Sequence, residues 1–503
     1  MGFSAVDYGV LALYLIGITA FGARFRSATA SVSDYFVGSR TTAWWVVSLS
    51  IVATETSTLT LIGVPAIAFA TFVRPEQGGS LTYLQVVLGY VVARVIIAWL
   101  FLPAYFSGRM FTAYELLNRR FGPRAKHVTA SLFLVMRPLA EGVRVFAASL
   151  VLTAVVAGSL PAIPHLWAWS VVVVGLLTLF YTFEGGISAV IWTDLIQLII
   201  YVSGSLLAAW QLVHLVPGGW PTIVDTAAAA GKLQIVSFSW DLRVPFTFWA
   251  GLVGGTFLTM ASHGTDQLLV QRLLACRNVR DAQKALVLSG IVVLCQFVLF
   301  LGIGLMLYAY YRFHPMPVLA STDQIFPAFI VSSLPHGVAG LVIAAIFAAA
   351  MSNLSGSLNS LASTSVLDFY APLTGRSIED GSLLSLSRWL TAAWGLVLIA
   401  IALVARGWGS VFTAGLTISS IVYGPMLGAF LLALLTRRAN QTGVIAGIAV
   451  SLVTMLMVWW KTPLAWTWYV VTGTIVACAV GYLVSLAVPD ARDTRGGVSS
   501  PSR

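Results

Sequence analysis

Charge is what this 503-residue chain has least of: 9% of its residues are Asp, Glu, Lys or Arg, where a soluble domain carries roughly a quarter. With 58% of residues hydrophobic, that shortage excludes a soluble globular protein and indicates an integral membrane protein. Cysteine is scarce too, with three in the chain. Cys276, Cys295 and Cys478 lie far apart, in or beside apolar runs, so neither a disulfide framework nor a metal site is indicated. No basic tract is long enough to suggest nucleic-acid binding, despite a net charge of +10. The chain also shows no Ser/His/Asp order, metal-ligand cluster or phosphate loop in a plausible setting, so no enzyme is expected.

Apolar runs fill the rest. Lipid obliges a spanning chain to bond its own backbone, so runs of about 20 apolar residues read as helices. About thirteen are predicted: 5–25, 43–71, 82–107, 128–157, 164–183, 187–215, 245–270, 285–311, 324–352, 386–405, 409–435, 441–460 and 464–488. The fold class is therefore all-α, as one membrane domain over 1–488 with a solvated tail at 489–503. An odd number of spans puts the termini on opposite sides. Nineteen Lys and Arg fall on one side of the predicted spans, among them Arg272, Arg277, Arg280 and Lys284. Arg74, Lys232, Arg243, Arg312, Arg406 and Lys461 fall on the other. The positive-inside rule then expects an external N-terminus and a cytoplasmic C-terminus in the cell membrane. Asp7 flanks the apolar stretch of the first span on its N-terminal side and Arg24 and Arg26 on its C-terminal side, the reverse of a cleavable signal peptide.

Polar residues inside the spans carry the functional signal. Thr193, Asp194 and Gln197 enter an apolar run that continues to about Leu215. An unpaired charge at the bilayer centre costs at least about 2.5 kcal/mol, so Asp194 needs a partner, most plainly a cation. The second span carries a polar stretch, Ser48 to Thr60, followed by the breakers Gly63 and Pro65. The seventh runs through Gly254-Gly255-Thr256 to Ser262-His263-Gly264-Thr265-Asp266. The two lie five spans apart, the offset of an inverted five-helix repeat, and interrupted helices at matching positions point to a transporter site near the midplane.

Several segments resemble the sodium:solute symporter family. They are Gly185-Gly186 with Thr193-Asp194-Leu195-Ile196-Gln197, Asp266-Gln267 with Gln271-Arg272, Ala349-Ala350-Met351-Ser352 with Leu358-Asn359-Ser360, Tyr114-Glu115-Leu116-Leu117, and Gly424-Pro425-Met426-Leu427-Gly428. The resemblance runs from about residue 5 to residue 460. It implies a LeuT-type fold with repeats over about 43–215 and 245–435, extra terminal helices, and alternating access driven by sodium.

By the same resemblance, sodium is held by the backbone oxygens of Ala53, Thr56 and Ala349 and the side chain of Ser352. Asn353 stands where the family usually has Ser or Thr. Asp194 with Ser352 and Ser355 resembles a second sodium site, but a hydroxyl of that site is replaced by Gly356; the alternative role for Asp194 is to orient Ser352 or an arginine in a hydrogen-bond network. Solute contacts are expected from Glu55, Ser57, Thr60, Gln85, Ser262, His263 and Thr417, with Arg144 from the fourth span. A guanidinium fork matches a carboxylate, which favours a carboxylate-bearing solute over a sugar or polyol. Arg144 has an alternative role, an internal ion pair with Glu141. Glu55 is open between pairing with Arg144, receiving a solute ammonium and taking up a proton. Proton coupling through Glu55, Asp194 or His263 is the rival to sodium, and a membrane sensor is the reading outside transport. The expected partners are sodium, a small organic solute and the bilayer, with no nucleic acid and no obligate protein partner evident.

Overall fold

Without water to bond, backbone amides and carbonyls in lipid must pair along their own helix. The computed structural model describes residues 3–25, 31–70, 78–108, 110–157, 164–319, 322–405 and 411–488. Among them every regular element is helical, apart from an isolated bridge between Thr42 and Cys276. The principal helices are α1 (Ala5–Ala23), α2 (Trp44–Glu55), α3 (Thr58–Phe69), α4 (Leu84–Leu100), α5 (Pro123–Ala157), α6 (Leu166–Leu215), α7 (Gly255–Gly264), α8 (Gln267–Leu274), α9 (Val279–Phe313), α10 (Val338–Ser363), α11 (Ser382–Val404), α12 (Val411–Leu435), α13 (Gln441–Lys461) and α14 (Tyr469–Ala487). The tail expected at 489–503 lies outside the described residues.

Among the described residues, eight helices are long and apolar enough to cross a membrane, and the bent pair α2–α3 adds a ninth. Thirteen crossings remain the expectation of the sequence. The difference has physical causes. α4 is only 17 residues long, α5 carries Arg137, Glu141 and Arg144, and the seventh span is split into α7 and α8. The fifth and sixth spans run together as α6, whose 50 residues would extend about 75 Å as one rod, more than twice the bilayer core. The chain turns instead at Gly186, whose φ of 57° and ψ of −156° are not helical. A Cβ there would lie 2.6 Å from the Tyr35 carbonyl oxygen. The ninth span also differs from expectation. Ile325–Ser333 is a separate helix, and α10 begins after Pro335 and Gly337, which puts Ser352 and Asn353 well inside a long buried helix.

The basic loops meet at one end of the bundle. Arg40 Nη2 donates to the Met110 carbonyl, Arg277 Nε to Thr41 at 3.3 Å, and Arg120 Nη2 to Arg437 at 2.7 Å, while Lys126 Nζ pairs with Asp368 at 2.9 Å. At the opposite end, Asp7 on α1 accepts the amides of Gly337 and Gly340 at 2.7 and 2.8 Å, tying α1 to the start of α10. There too, Lys232 Nζ donates to the carbonyls of Ala68, Phe69, Ala70 and Gly79 at 2.7–3.1 Å. This ammonium occupies the end of α3, where helical carbonyls would otherwise lack partners. Arg272, expected in a basic loop, is a correction: it lies fully buried on α8.

Candidate ion and solute site

α2 stops at Glu55 because Thr56 (φ −82°, ψ 91°) and Ser57 (φ −88°, ψ 172°) leave helical geometry, and α3 departs at 63°. The Ser57 amide, which in an unbroken helix would bond Ala53, donates to the Glu55 carbonyl at 3.1 Å. The Thr60 amide bonds Ser57 at 2.9 Å instead of Thr56. The carbonyls of Ala53 and Thr56 are thus released from the helical ladder. The Thr56 hydroxyl is already engaged, accepting Gln296 Nε2 at 2.8 Å.

α10 supplies the facing wall. Ala349, Ser352 and Asn353 share a helical face, being three and four residues apart, and all are buried. The Asn353 side-chain amide donates to the Thr54 carbonyl, which joins α10 to the end of α2. Its Oδ1 is buried without a hydrogen-bond partner. Two released carbonyls, a hydroxyl and an unpaired amide oxygen form the kind of donor set that suits a hard cation.

Asp194 is fully buried on α6 and all its bonds are internal. Oδ1 accepts the Ser352 hydroxyl at 2.6 Å; Oδ2 accepts Ser50 at 2.6 Å, Thr54 at 3.3 Å and Arg272 Nη2 at 3.0 Å. Ser355, the other residue expected at a second sodium site, donates to the Ser352 carbonyl at 3.0 Å. Gly356 makes room for the arginine, since a Cβ there would lie 2.5 Å from Arg272 Nη2. A guanidinium therefore lies beside the carboxylate where a second ion was considered, and Asp194 bonds both Ser352 and an arginine.

The central cavity lies between the two broken helices, with about 130 Å³ of free space. Of the expected solute contacts, Glu55, Ser57, Thr60, Arg144, Ser262 and His263 line it, joined by Asn353. Glu55 pairs with Arg94, not with Arg144 as one reading had it. Arg94 also donates to Ser289 at 3.1 Å and to the Tyr90 carbonyl at 3.0 Å, and His263 Nε2 lies 3.5 Å from Glu55. Arg144 bonds Glu141 at 3.1 Å and leaves its Nε without a partner; Ser357 holds the same Glu141 oxygen at 3.1 Å. Arg137 and Tyr423 also line the cavity, bonded to each other and to Asp266, with Tyr423 donating to Asp266 at 2.7 Å. Asp266 also caps α8 through the Leu268 amide at 2.9 Å.

Two expected contacts lie elsewhere. Gln85 is buried in an anchor for the loop ahead of α7, donating to the Phe246 carbonyl at 2.9 Å and accepting the Ser237 amide at 3.0 Å. Thr417 lines a peripheral pocket with Trp459, Pro463 and Tyr469. On the same helix Leu416, Ser419 and Tyr423 face the cavity, so the one-residue misplacement is a rotation of about 100°. Arg94 went unnoticed in the sequence, although a lone arginine inside the apolar run 82–107 was the signal.

Broken helices facing one another across a cavity, with carbonyls freed at one break, define a secondary active transporter. A comparison with solved structures places the fold. The chain superposes on the substrate-bound, outward-open state of a Na+-coupled sialic acid symporter with a TM-score of 0.86, at 26% identity and covering 97% of this chain and 98% of that one. Mhp1, a nucleobase-cation-symport-1 family transporter, superposes at 0.56 with 14% identity over 93% of this chain and 98% of that one, a likeness of fold alone. In sequence, the sodium/sialic acid symporter NanT of Aliivibrio fischeri is 30% identical over 96% of this chain and 93% of its own. The human sodium/iodide cotransporter is 30% identical over 91% and 70%, and the mouse sodium-coupled monocarboxylate transporter 2 is 30% identical over 89% and 71%. The model of the sodium:solute symporter family matches residues 35–451. The chain belongs to that family. It is a LeuT-type, sodium-coupled transporter of a small organic solute and not an enzyme.

Proposed function

We propose that the transporter takes up a small carboxylate-bearing metabolite with sodium, with its basic end in the cytoplasm, its N-terminus outside and its C-terminus inside. Arg144 carries this reading. It lines the cavity with its side chain 17% exposed, whereas Arg137, whose Nε is likewise buried without a partner, is only 3% exposed. Arg94 and Arg137 are buried and paired with Glu55 and Asp266. The named solutes of the three relatives above, sialic acid, iodide and monocarboxylates, share a negative charge and little else.

In this reading, sodium binds between the carbonyls of Ala53, Thr56 and Ala349 and the side-chain oxygens of Ser352 and Asn353. It bridges the α2–α3 break to α10 and biases the protein towards the solute-competent state, which is how any coupling ion acts. Ser57, Thr60, Ser262 and His263 supply the polar contacts around the solute, and Glu55 stays a fixed charge held by Arg94. Asp194 and Ser355 belong to the framework that orients Ser352. Release to the cytoplasm requires Arg137 to part from Asp266 and Tyr423.

A second reading has one observation behind it. Glu55–Arg94, Glu141–Arg144 and Asp266–Arg137 balance their charges within the protein, which suits a neutral sugar or polyol. Uptake of a carboxylate and of a neutral sugar into proteoliposomes, each under an inward sodium gradient with no pH gradient, separates the two. A carboxylate should accumulate only with sodium, and Arg144→Gln should lower its uptake about 10- to 100-fold, the worth of one hydrogen bond to a charge. Accumulation driven equally by potassium, or undiminished in Arg144→Gln, would refute the proposal.

A further inference from the structure

We propose that a groove between α12 and α14 at the basic end is a binding site for one anionic phospholipid of the phosphatidylglycerol type. The groove offers about 740 Å³ and is walled by apolar side chains of both helices, including Leu431, Leu435 and Ile475, with Tyr482 nearest the helix ends. Leu435 is 63% exposed, so this wall faces the surroundings of the bundle, which for a membrane protein are acyl chains. At the polar end of the same groove stand Arg437 and Arg438.

These two arginines have no evident structural duty. Both are exposed, and neither meets a carboxylate among the described residues. Cations at a helix C-terminus often serve its free carbonyls, but here Arg120 does so, donating to the carbonyls of Thr436 at 3.0 Å and Arg437 at 2.7 Å. Two guanidinium groups remain above an apolar trough. That order, cation at the interface and hydrocarbon below, mirrors a phospholipid. Guanidinium forks match phosphate oxygens, and a net negative headgroup satisfies both, whereas the choline of a zwitterionic lipid offsets its own phosphate. Each basic side chain near an anionic headgroup contributes about 1 kcal/mol, so the pair should give about a 30-fold preference.

The full-length protein in detergent can be titrated with dioleoyl-phosphatidylglycerol, dioleoyl-phosphatidylcholine or glycerol phosphate, with bound lipid counted by native mass spectrometry and unfolding followed by tryptophan fluorescence. The phosphatidylglycerol should bind about 30-fold more tightly than the phosphatidylcholine and raise the melting temperature, while glycerol phosphate does neither. R437Q/R438Q should bring the two lipids to parity. Ala479→Trp, which fills the groove and leaves the arginines in place, should weaken both lipids and keeps the idea testable if the arginine variant is not recovered folded. Equal binding of the two lipids to the natural protein, a preference that survives R437Q/R438Q, lipid binding untouched by Ala479→Trp, or glycerol phosphate competing as well as the lipid would each overturn the proposal.

Discussion

The ionised residues inside this bundle are few, and each is placed by the cost of being there. Breaking a buried pair from one side strands a charge at roughly 3–5 kcal/mol, whereas replacing both partners by apolar groups is often nearly neutral. Glu55→Gln should therefore lower the thermal midpoint sharply by stranding Arg94, and the double variant Glu55→Gln/Arg94→Met should recover much of it. A scanning-fluorimetry comparison of the three proteins reads this directly, and a double variant no better than the single would mean that the pair does not act as a unit. Ser352 tests the ion site in a different way. Its hydroxyl gives its one proton to Asp194 and keeps lone pairs for a cation. Ser352→Ala should raise the sodium concentration for half-maximal uptake several-fold, the loss of roughly one hydrogen bond's worth of binding, while Asp194 stays paired with Arg272. An unchanged sodium titration would locate the ion elsewhere.

At the scale of helices, the ends of α3 matter more than its apolar middle. Its start supplies the break; its finish is held by Lys232, whose ammonium gathers four carbonyls and lies 4.2 Å from the Tyr308 ring centroid. Lys232→Met keeps the stem but leaves those carbonyls under-bonded, at a cost of about 1–3 kcal/mol. It should lower the thermal midpoint and slow transport without moving the sodium titration; wild-type stability and turnover would show the cap to be idle. The two breaks were legible because Gly264 and the polar run from Ser48 to Thr60 contradict a plain spanning helix, whereas the expected breakers Gly63 and Pro65 lie inside α3, past the break at Thr56 and Ser57. Partners were less so. Asp194 announces that it needs a cation, but Arg272 lies 78 residues away and reads as one more positive charge near a loop. Gln85 and Thr417 were misplaced for a related reason. In an apolar run every face is hydrophobic, so periodicity does not fix which side meets the cavity, and the phase comes from tertiary packing alone.

For the whole molecule, the arrangement of charge can be separated from its direction across the membrane. The bonds Arg40 to Met110, Arg277 to Thr41 and Arg120 to Arg437 gather loops far apart in sequence at one end. Lys232, Arg243 and the 463–466 connection lie at the other. A bilayer reads this asymmetry during insertion, because basic loops are retained in the cytoplasm. The two ends can be told apart by single cysteines in a background with Cys276, Cys295 and Cys478 replaced by serine. Arg243 and Arg437 suit the purpose, being exposed and at opposite ends. In intact cells Arg243→Cys should react with a membrane-impermeant maleimide, and Arg437→Cys only after permeabilisation. The reverse pattern would invert the transport direction proposed for a given sodium gradient, and equal labelling of both would mean dual insertion. Such a result would take the force from the charge count, since the Lys and Arg residues would then be serving the protein's own contacts rather than its orientation.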